Sequence, residues 1–347
     1  MHARLDVRDQ PVALAYPVAV AALQRRGAGT AAAKQYTKLL LKPIQPETAA
    51  DIEKDVGRTF PNLRRFSTPE GRRSLEMVLR AYAASDPEVG YCQGMNFLAG
   101  VLLAWLPADA DAFGGLVVLM QERELRQLYT TDLAMLQVRL WQIGKLMPPQ
   151  LAHHMEMHGA LPVLYASSWL LTAFASDFPL SFASRVMDVI LTDNYTAAMM
   201  KVVLGILRHC EAALLAMTDM EQMVDYLKME VPCLPRETLH ELLTDALKAP
   251  WTPRQAAILE QVSGAETVVD AVRRVDRMSS GEEPTLAETP SLPIAPTAYH
   301  LTALPPPARP WRRPAAGTVV YSPRSAATCA RPAGMGPISS SQCQRQR

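Results

Sequence analysis

From residue 33 onward, apolar residues recur at three- and four-residue intervals, and no stretch shows the convincing period of two that a half-buried strand requires. Leu75, Val78, Leu79 and Tyr82 share one helical face. Thr68-Pro69-Glu70 supplies the start of that helix. Its hydroxyl can accept from a free backbone N–H, its proline sits in the first turn where a missing donor costs nothing, and its acid suits the positive end of the helix. The helix is predicted to stop before Asp86-Pro87. The same spacing predicts helices over 133–147, 164–175, 183–191, 197–215, 220–229 and 236–247, with Pro107, Pro148, Pro162, Pro179, Pro232 and Pro250 at most of the breaks. The helices follow no fixed repeat, which speaks against a regular solenoid. The expectation is an all-α fold, an irregular multi-helix domain around one core.

Composition divides the chain further. Residues 279–347 hold 12 of the 28 prolines and no lysine, with little apolar periodicity, a make-up that cannot bury enough surface to offset chain entropy. The expected organisation is an atypical N-terminal segment (1–32), a large helical domain (33–250), a C-terminal amphipathic helix (251–278) carrying Val262, Val268, Val269, Val272 and Val275, and a disordered Pro/Arg/Ser-rich tail (279–347). Within the tail, Pro307-Ala308-Arg309-Pro310-Trp311-Arg312 has the form of a polyproline-type ligand for an SH3-type domain.

Net charge excludes some functions. At +1 the chain has no general electrostatic affinity for nucleic acid or anionic membrane, so no nucleic acid partner is expected. No segment reaches the ~18 to 20 apolar residues of a membrane span; the longest apolar run, 95–106, stops at Pro107 and reads as a buried helix. The apolar stretch 11–23 is preceded by Asp6 and Asp9 and interrupted by Pro17, unlike a signal peptide. Five widely separated cysteines suggest neither a disulfide framework nor a zinc ribbon, and a cytoplasmic setting is expected. His154 and His158 are four apart on a predicted helix, with His153 and Glu156 nearby, but no third ligand completes a metal site and a polar helix face is expected.

Two stretches carry candidate chemistry. In Ile52-Glu53-Lys54-Asp55-Val56-Gly57-Arg58, Ile52 and Val56 fall on one face as an anchor, while Asp55 and Arg58 are three apart, so a carboxylate can steady an arginine. Arg58 has five N–H donors in a planar fork suited to phosphate oxygens, although an Asp/Arg pair on a helix is also an ordinary surface feature. In Gly90-Tyr91-Cys92-Gln93-Gly94-Met95-Asn96, Gln93 and Asn96 stand at the start of a very apolar helix, where solvent or a ligand can reach them, and Gly90 and Gly94 permit close approach of another backbone. Simple polar capping of a helix start is the alternative. A glutamine that orients water and an arginine that neutralises phosphate charge are what GTP hydrolysis needs. The chain has no Gly-rich loop followed by Lys and Ser/Thr, so the nucleotide would belong to a partner.

The two stretches, in this order and at this separation, resemble the IxxDxxR and YxQ fingerprints of the TBC domain of Rab GTPase-activating proteins. Further matches are collinear: Arg58-Thr59-Phe60-Pro61-Asn62, Val78-Leu79-Arg80-Ala81-Tyr82-Ala83, Ser168-Trp169-Leu170-Leu171-Thr172-Ala173-Phe174, Phe178-Pro179, Arg185-Val186-Met187-Asp188 and Tyr226-Leu227-Lys228, so that the resemblance covers about residues 34–232. It implies that 33–250 is a TBC domain, that Arg58 and Gln93 are arginine and glutamine fingers supplied in trans to a Rab-family GTPase in its GTP form, and that Asp55 holds Arg58. Tyr91, Gly94 and Asn96 would shape the Gln93 loop, with Asn96 a contact to the GTPase. It implies no cofactor beyond the partner's GTP and Mg, and a place at the cytosolic face of vesicle or organelle membranes in vesicle trafficking. Two departures stand out. Residues 1–32 contain no Trp, where the family carries an Arg and Trp pair in its first helices, and Met187 occupies the aromatic position of the family's RxWD. A catalytically weak or inactive TBC-like scaffold that binds a GTPase or another partner is the alternative function.

Overall fold

The computed structural model describes residues 28–259, apart from 107, 131, 132, 193, 194, 253 and 257, and among the described residues every regular element is helical. The first half of the domain is built from α1 (Ala28–Leu39), α2 (Pro46–Val56), a single turn α3 (Arg64–Ser67), α4 (Pro69–Ser85), α5 (Met95–Trp105) and α6 (Asp109–Val117). A π-helical turn (Val118–Glu122) and a 3-10 helix (Leu125–Tyr129) lead into the second half. There follow α7 (Ala134–Leu146), α8 (Pro149–Met157), α9 (Pro162–Thr172), α10 (Leu180–Thr192), α11 (Tyr195–Leu215), α12 (Met220–Asp225) and α13 (Arg236–Lys248).

α4 forms as its sequence dictates. The Thr68 hydroxyl accepts from Gly71 N at 3.1 Å, Pro69 occupies the first turn, and Leu75, Val78, Leu79 and Tyr82 are all buried. This face packs α4 against α2, α5 and α6. α5 is apolar nearly all round and buries Met95, Leu98, Ala99, Val101, Leu102 and Leu103, as a helix enclosed by its neighbours must. In the second half, α11 packs on α10 and α13, and Trp169, Phe174, Phe178 and Phe182 form an aromatic cluster with centroids 4.7–5.8 Å apart. Met187 is fully buried, as a flexible thioether that adapts to irregular space can be. The halves are tied by Trp105 Nε1, which donates to Ser184 Oγ at 2.9 Å.

Two element ends differ from expectation. The helix predicted over 164–175 stops at Thr172, because Ala173 and Phe174 turn into positive φ (47° and 67°) and Tyr195 and Tyr129 donate their hydroxyls to the released carbonyls of Leu170 and Leu171. The helix predicted over 220–229 holds α-geometry only to Asp225 and widens into a π-turn over Tyr226–Glu230. No apolar spacing betrays either change. At the front, α1 covers α6, with Tyr36 against Phe113 at 5.6 Å, so residues outside the predicted helices contribute to the core.

His154 Nε2 lies 2.8 Å from Met217 O and its ring meets His158 at 4.6 Å, and no metal-binding group of side chains occurs among the described residues. No helix among them is long and apolar enough to cross a membrane. Most of the predicted 251–278 helix, the 279–347 tail and the 307–312 motif lie outside the described residues.

Candidate functional site

The Asp55 carboxylate is the centre of the site. It lies in the last turn of α2 with Ile52 and Val56 buried beside it, as the i, i+4 spacing predicts. Asp55 Oδ1 lies 2.8 Å from Arg58 Nη2, and Asp55 Oδ2 accepts from the Tyr91 hydroxyl at 2.6 Å. One buried carboxylate therefore joins the arginine segment to the glutamine segment across 36 residues of sequence. Burial, and then the hydrogen bond to Asp55, push the Tyr91 hydroxyl far above its ordinary pKa, so it stays protonated and donates.

A second tie runs behind the first. Thr59 Oγ1 donates to Asp55 O at 2.8 Å, and the same oxygen accepts from Asn96 Nδ2 at 2.8 Å. Asn96 Oδ1 in turn accepts from Gly94 N at 3.0 Å. Since a backbone N–H can only donate and the Thr59 proton is already committed, the network fixes the orientation of the Asn96 amide. Asn96 is 0 % exposed, so its side chain lies inside the domain rather than at its surface. It turns inward, where it gives the buried Gly94 N–H its acceptor and donates to Thr59 Oγ1, which already donates to Asp55 O.

Gly94 has φ 113°, a conformation side chains rarely adopt, and a Cβ there would come within 3.1 Å of Leu171 O and 3.3 Å of Leu171 Cβ. The Gln93 loop is thus seated on the C-terminal end of α9. The arginine segment is seated on α5: Gly100 leaves room for the Phe60 ring, which would lie 2.8 Å from an added Cβ, and Phe60 meets Phe97 edge-on at 5.4 Å. Thr59, Phe60 and Leu171 fall within the collinear matches, but their part in the site, like that of Gly100, comes from contacts far along the chain that the sequence does not display.

The two candidate finger side chains stay available. The Arg58 side chain is 26 % exposed, and its Nε is buried without a hydrogen-bond partner, so the guanidinium keeps unspent donors beside Asp55. Gln93 is half-buried, and among the described residues its side-chain amide makes no hydrogen bond. Next to Gln93 in the chain, Cys92 is a free thiol whose pKa is pushed up to about 11 by burial and then by the Asp55 charge. The structure thus brings Asp55, Arg58, Tyr91, Gly94 and Asn96 together with the Gln93 segment.

A sequence profile described as the Rab-GTPase-TBC domain matches residues 18–215, more than half of the chain. The chain belongs to the Rab-GTPase-TBC domain family. The matched region of this TBC chain begins ten residues before α1, so it takes in residues 18–32 of the Trp-free segment. Among its relatives are mouse TBC1 domain family member 4, 37 % identical over 216 residues, and human TBC1 domain family member 1, 40 % identical over 202. These alignments cover 61 % and 57 % of this chain but only 16 % and 17 % of those proteins, so the chain spans about a sixth of their length. The GTPase-activating protein GYP5 of Eremothecium gossypii is 36 % identical over 196 residues, covering 56 % of this chain and 23 % of GYP5. The TBC fold is also that of the crystal structure of the Chlamydomonas flagellar RabGAP TBC domain, with TM-score 0.58 at 24 % identity over 70 % of this chain and 81 % of that one.

Proposed function

We propose that this TBC domain accelerates GTP hydrolysis on a Rab-type small GTPase, with Arg58 as arginine finger and Gln93 as glutamine finger. The observation that supports this most is the shared Asp55 carboxylate, which links the segments bearing both groups while the Arg58 side chain stays 26 % exposed. Family membership supports the same reading. The reaction would use the partner's GTP and Mg. Gln93 would orient the attacking water, and the fixed charge of Arg58 would offset negative charge developing on phosphate oxygens. An arginine supplied in this way is worth about 10³ to 10⁵ in rate, or ~4 to 7 kcal/mol of barrier. Asp55 would hold the guanidinium until phosphate oxygens replace part of its contact. A membrane-anchored partner would draw the domain to the cytosolic face of its membrane.

Single-turnover hydrolysis by a panel of GTP-loaded Rabs tests the proposal. Acceleration of at least one Rab is expected. Binding to GTP-loaded Rabs with hydrolysis left at the intrinsic rate would instead identify the chain as a TBC-like scaffold, and the catalytic proposal would fall.

A further inference from the structure

Arg126 belongs to none of the sequence motifs, yet it pairs with two carboxylates. Its Nε lies 2.7 Å from Asp86 Oδ2, and its Nη2 lies 3.0 Å from Asp86 Oδ1 and 2.6 Å from Glu88 Oε2. The Asp86 side chain is 8 % exposed whereas that of Glu88 is 76 % exposed, so the two contacts are unequal. The pair with Glu88 is screened by solvent, and the two-pronged pair with Asp86 carries the interaction. Hydrogen bonding from Arg126 holds the Asp86 carboxyl below its ordinary range.

Asp86 is also the organiser of the turn that leads from α4 to Gln93. Its carboxylate accepts from Tyr82 Oη at 3.1 Å and from Val89 N at 3.4 Å, and its carbonyl accepts from Gly90 N at 2.8 Å. Gly90 then takes φ 59° and releases the chain toward Gln93. The 3-10 helix that bears Arg126 ends in Tyr129, whose hydroxyl donates to Leu171 O, the carbonyl against which Gly94 is packed. One short helix therefore grips the glutamine segment at its start, through Asp86, and supports the seat beneath its end, through Leu171.

We propose that Arg126 is a positioning residue that fixes where the Gln93 side chain is presented, with Tyr129 setting the seat on which the segment rests. This rests on the reading of Gln93 as the water-orienting group. Removing Arg126 leaves the Asp86 carboxylate without its cation and lets the 86–90 turn relax. A misplacement of about 1 Å at a reacting centre costs on the order of 10²-fold in rate, so even a partial shift is measurable.

Two arms test the inference. Amide exchange across residues 86–95 needs no GTPase: Arg126→Ala speeds it about tenfold or more while α11 keeps its protection, and Arg126→Lys gives an intermediate value. In single-turnover hydrolysis on an accelerated Rab, Arg126→Ala lowers kcat about tenfold with KM changed less than about twofold, Arg126→Lys recovers part of the loss, and Arg126→Ala causes no further loss in a Gln93→Ala background. Unchanged exchange over 86–95, or an equal loss of kcat with and without Gln93, overturns the proposal. Should the wild-type chain accelerate no Rab, the GTPase-activating reading fails, and the exchange arm still decides whether Arg126 holds the segment.

Discussion

Asn96 offers the sharpest test of how the two finger segments are joined. Replacing it with alanine removes the hydrogen bonds from Gly94 N at 3.0 Å and to Thr59 Oγ1 at 2.8 Å, both fully inside the protein. Two net hydrogen bonds at about 1 kcal/mol each, plus the desolvation penalty of about 1 to 3 kcal/mol for a Gly94 N–H that water cannot reach, give a loss of ~3 to 5 kcal/mol. For a domain of this size that lowers Tm by about 6–20 °C. Asn96→Asp separates geometry from chemistry. The new carboxylate can still accept from Gly94 N, but its second oxygen faces Thr59 Oγ1, whose proton is committed to Asp55 O at 2.8 Å. A buried negative charge without a donor on that side should cost at least as much as the alanine at pH 7.5. Its pKa in the fold would be raised, so the deficit relative to wild type shrinks as pH falls through that raised pKa, when the protonated acid can donate to Thr59. Guanidinium denaturation at pH 7.5 and pH 5, read by circular dichroism, measures both effects. Loss of less than about 1 kcal/mol for Asn96→Ala, or an Asn96→Asp protein as stable as wild type at pH 7.5, would refute the role of Asn96 as an internal strut.

The remaining expectations concern neighbouring groups. Tyr91→Phe deletes the 2.6 Å hydrogen bond to Asp55 and should lower stability by about 1.5 to 3 kcal/mol, the range for hydrogen bonds to charged groups; unchanged denaturation midpoints would contradict it. Gly94→Ala combines an unfavourable φ of 113° with a Cβ only 3.1 Å from Leu171 O, and should cost ~2 kcal/mol or more by the same assay, whereas a tolerated alanine would show that the seat on α9 is loose. Asp188, half of the Arg185–Asp188 pair at 3.4 Å, is raised from 3.8 to about 6 by burial, against the opposing pull of Arg185. The fold then binds a proton more tightly than the unfolded chain does, so this group's contribution to stability falls as pH rises from about 4 to about 6, by at most ~3 kcal/mol. Asp188→Asn removes that dependence, and its stability relative to wild type should improve between pH 4 and pH 7; a constant difference would sink the assignment.

The sequence carried what is local. Thr68-Pro69-Glu70 and the Leu75, Val78, Leu79 and Tyr82 face specified α4, because capping and helical periodicity act within a few residues. The pairing of Asp55 with Arg58 was readable for the same reason. What was not readable depends on contacts between distant segments. Asn96 has the same sequence context whether it faces solvent or Thr59, and only the return of the Thr59–Phe60 turn onto Gly100 decides between them. Arg126 looks like any arginine after a helix until the fold places Asp86 opposite it. The early end of α9 depends on Tyr129 and Tyr195 arriving to cap its carbonyls, one preceding and one following that helix in the chain.

Single-turnover hydrolysis on a responsive Rab with the wild type, Arg58→Ala and Gln93→Ala tests whether Arg58 and Gln93 act together on a partner's GTP. Each alanine is expected to lower the acceleration by about 10² or more while GTPase binding changes by less than about tenfold, since both groups serve the transition state. Variants that fold like the wild type and accelerate hydrolysis equally well would contradict it.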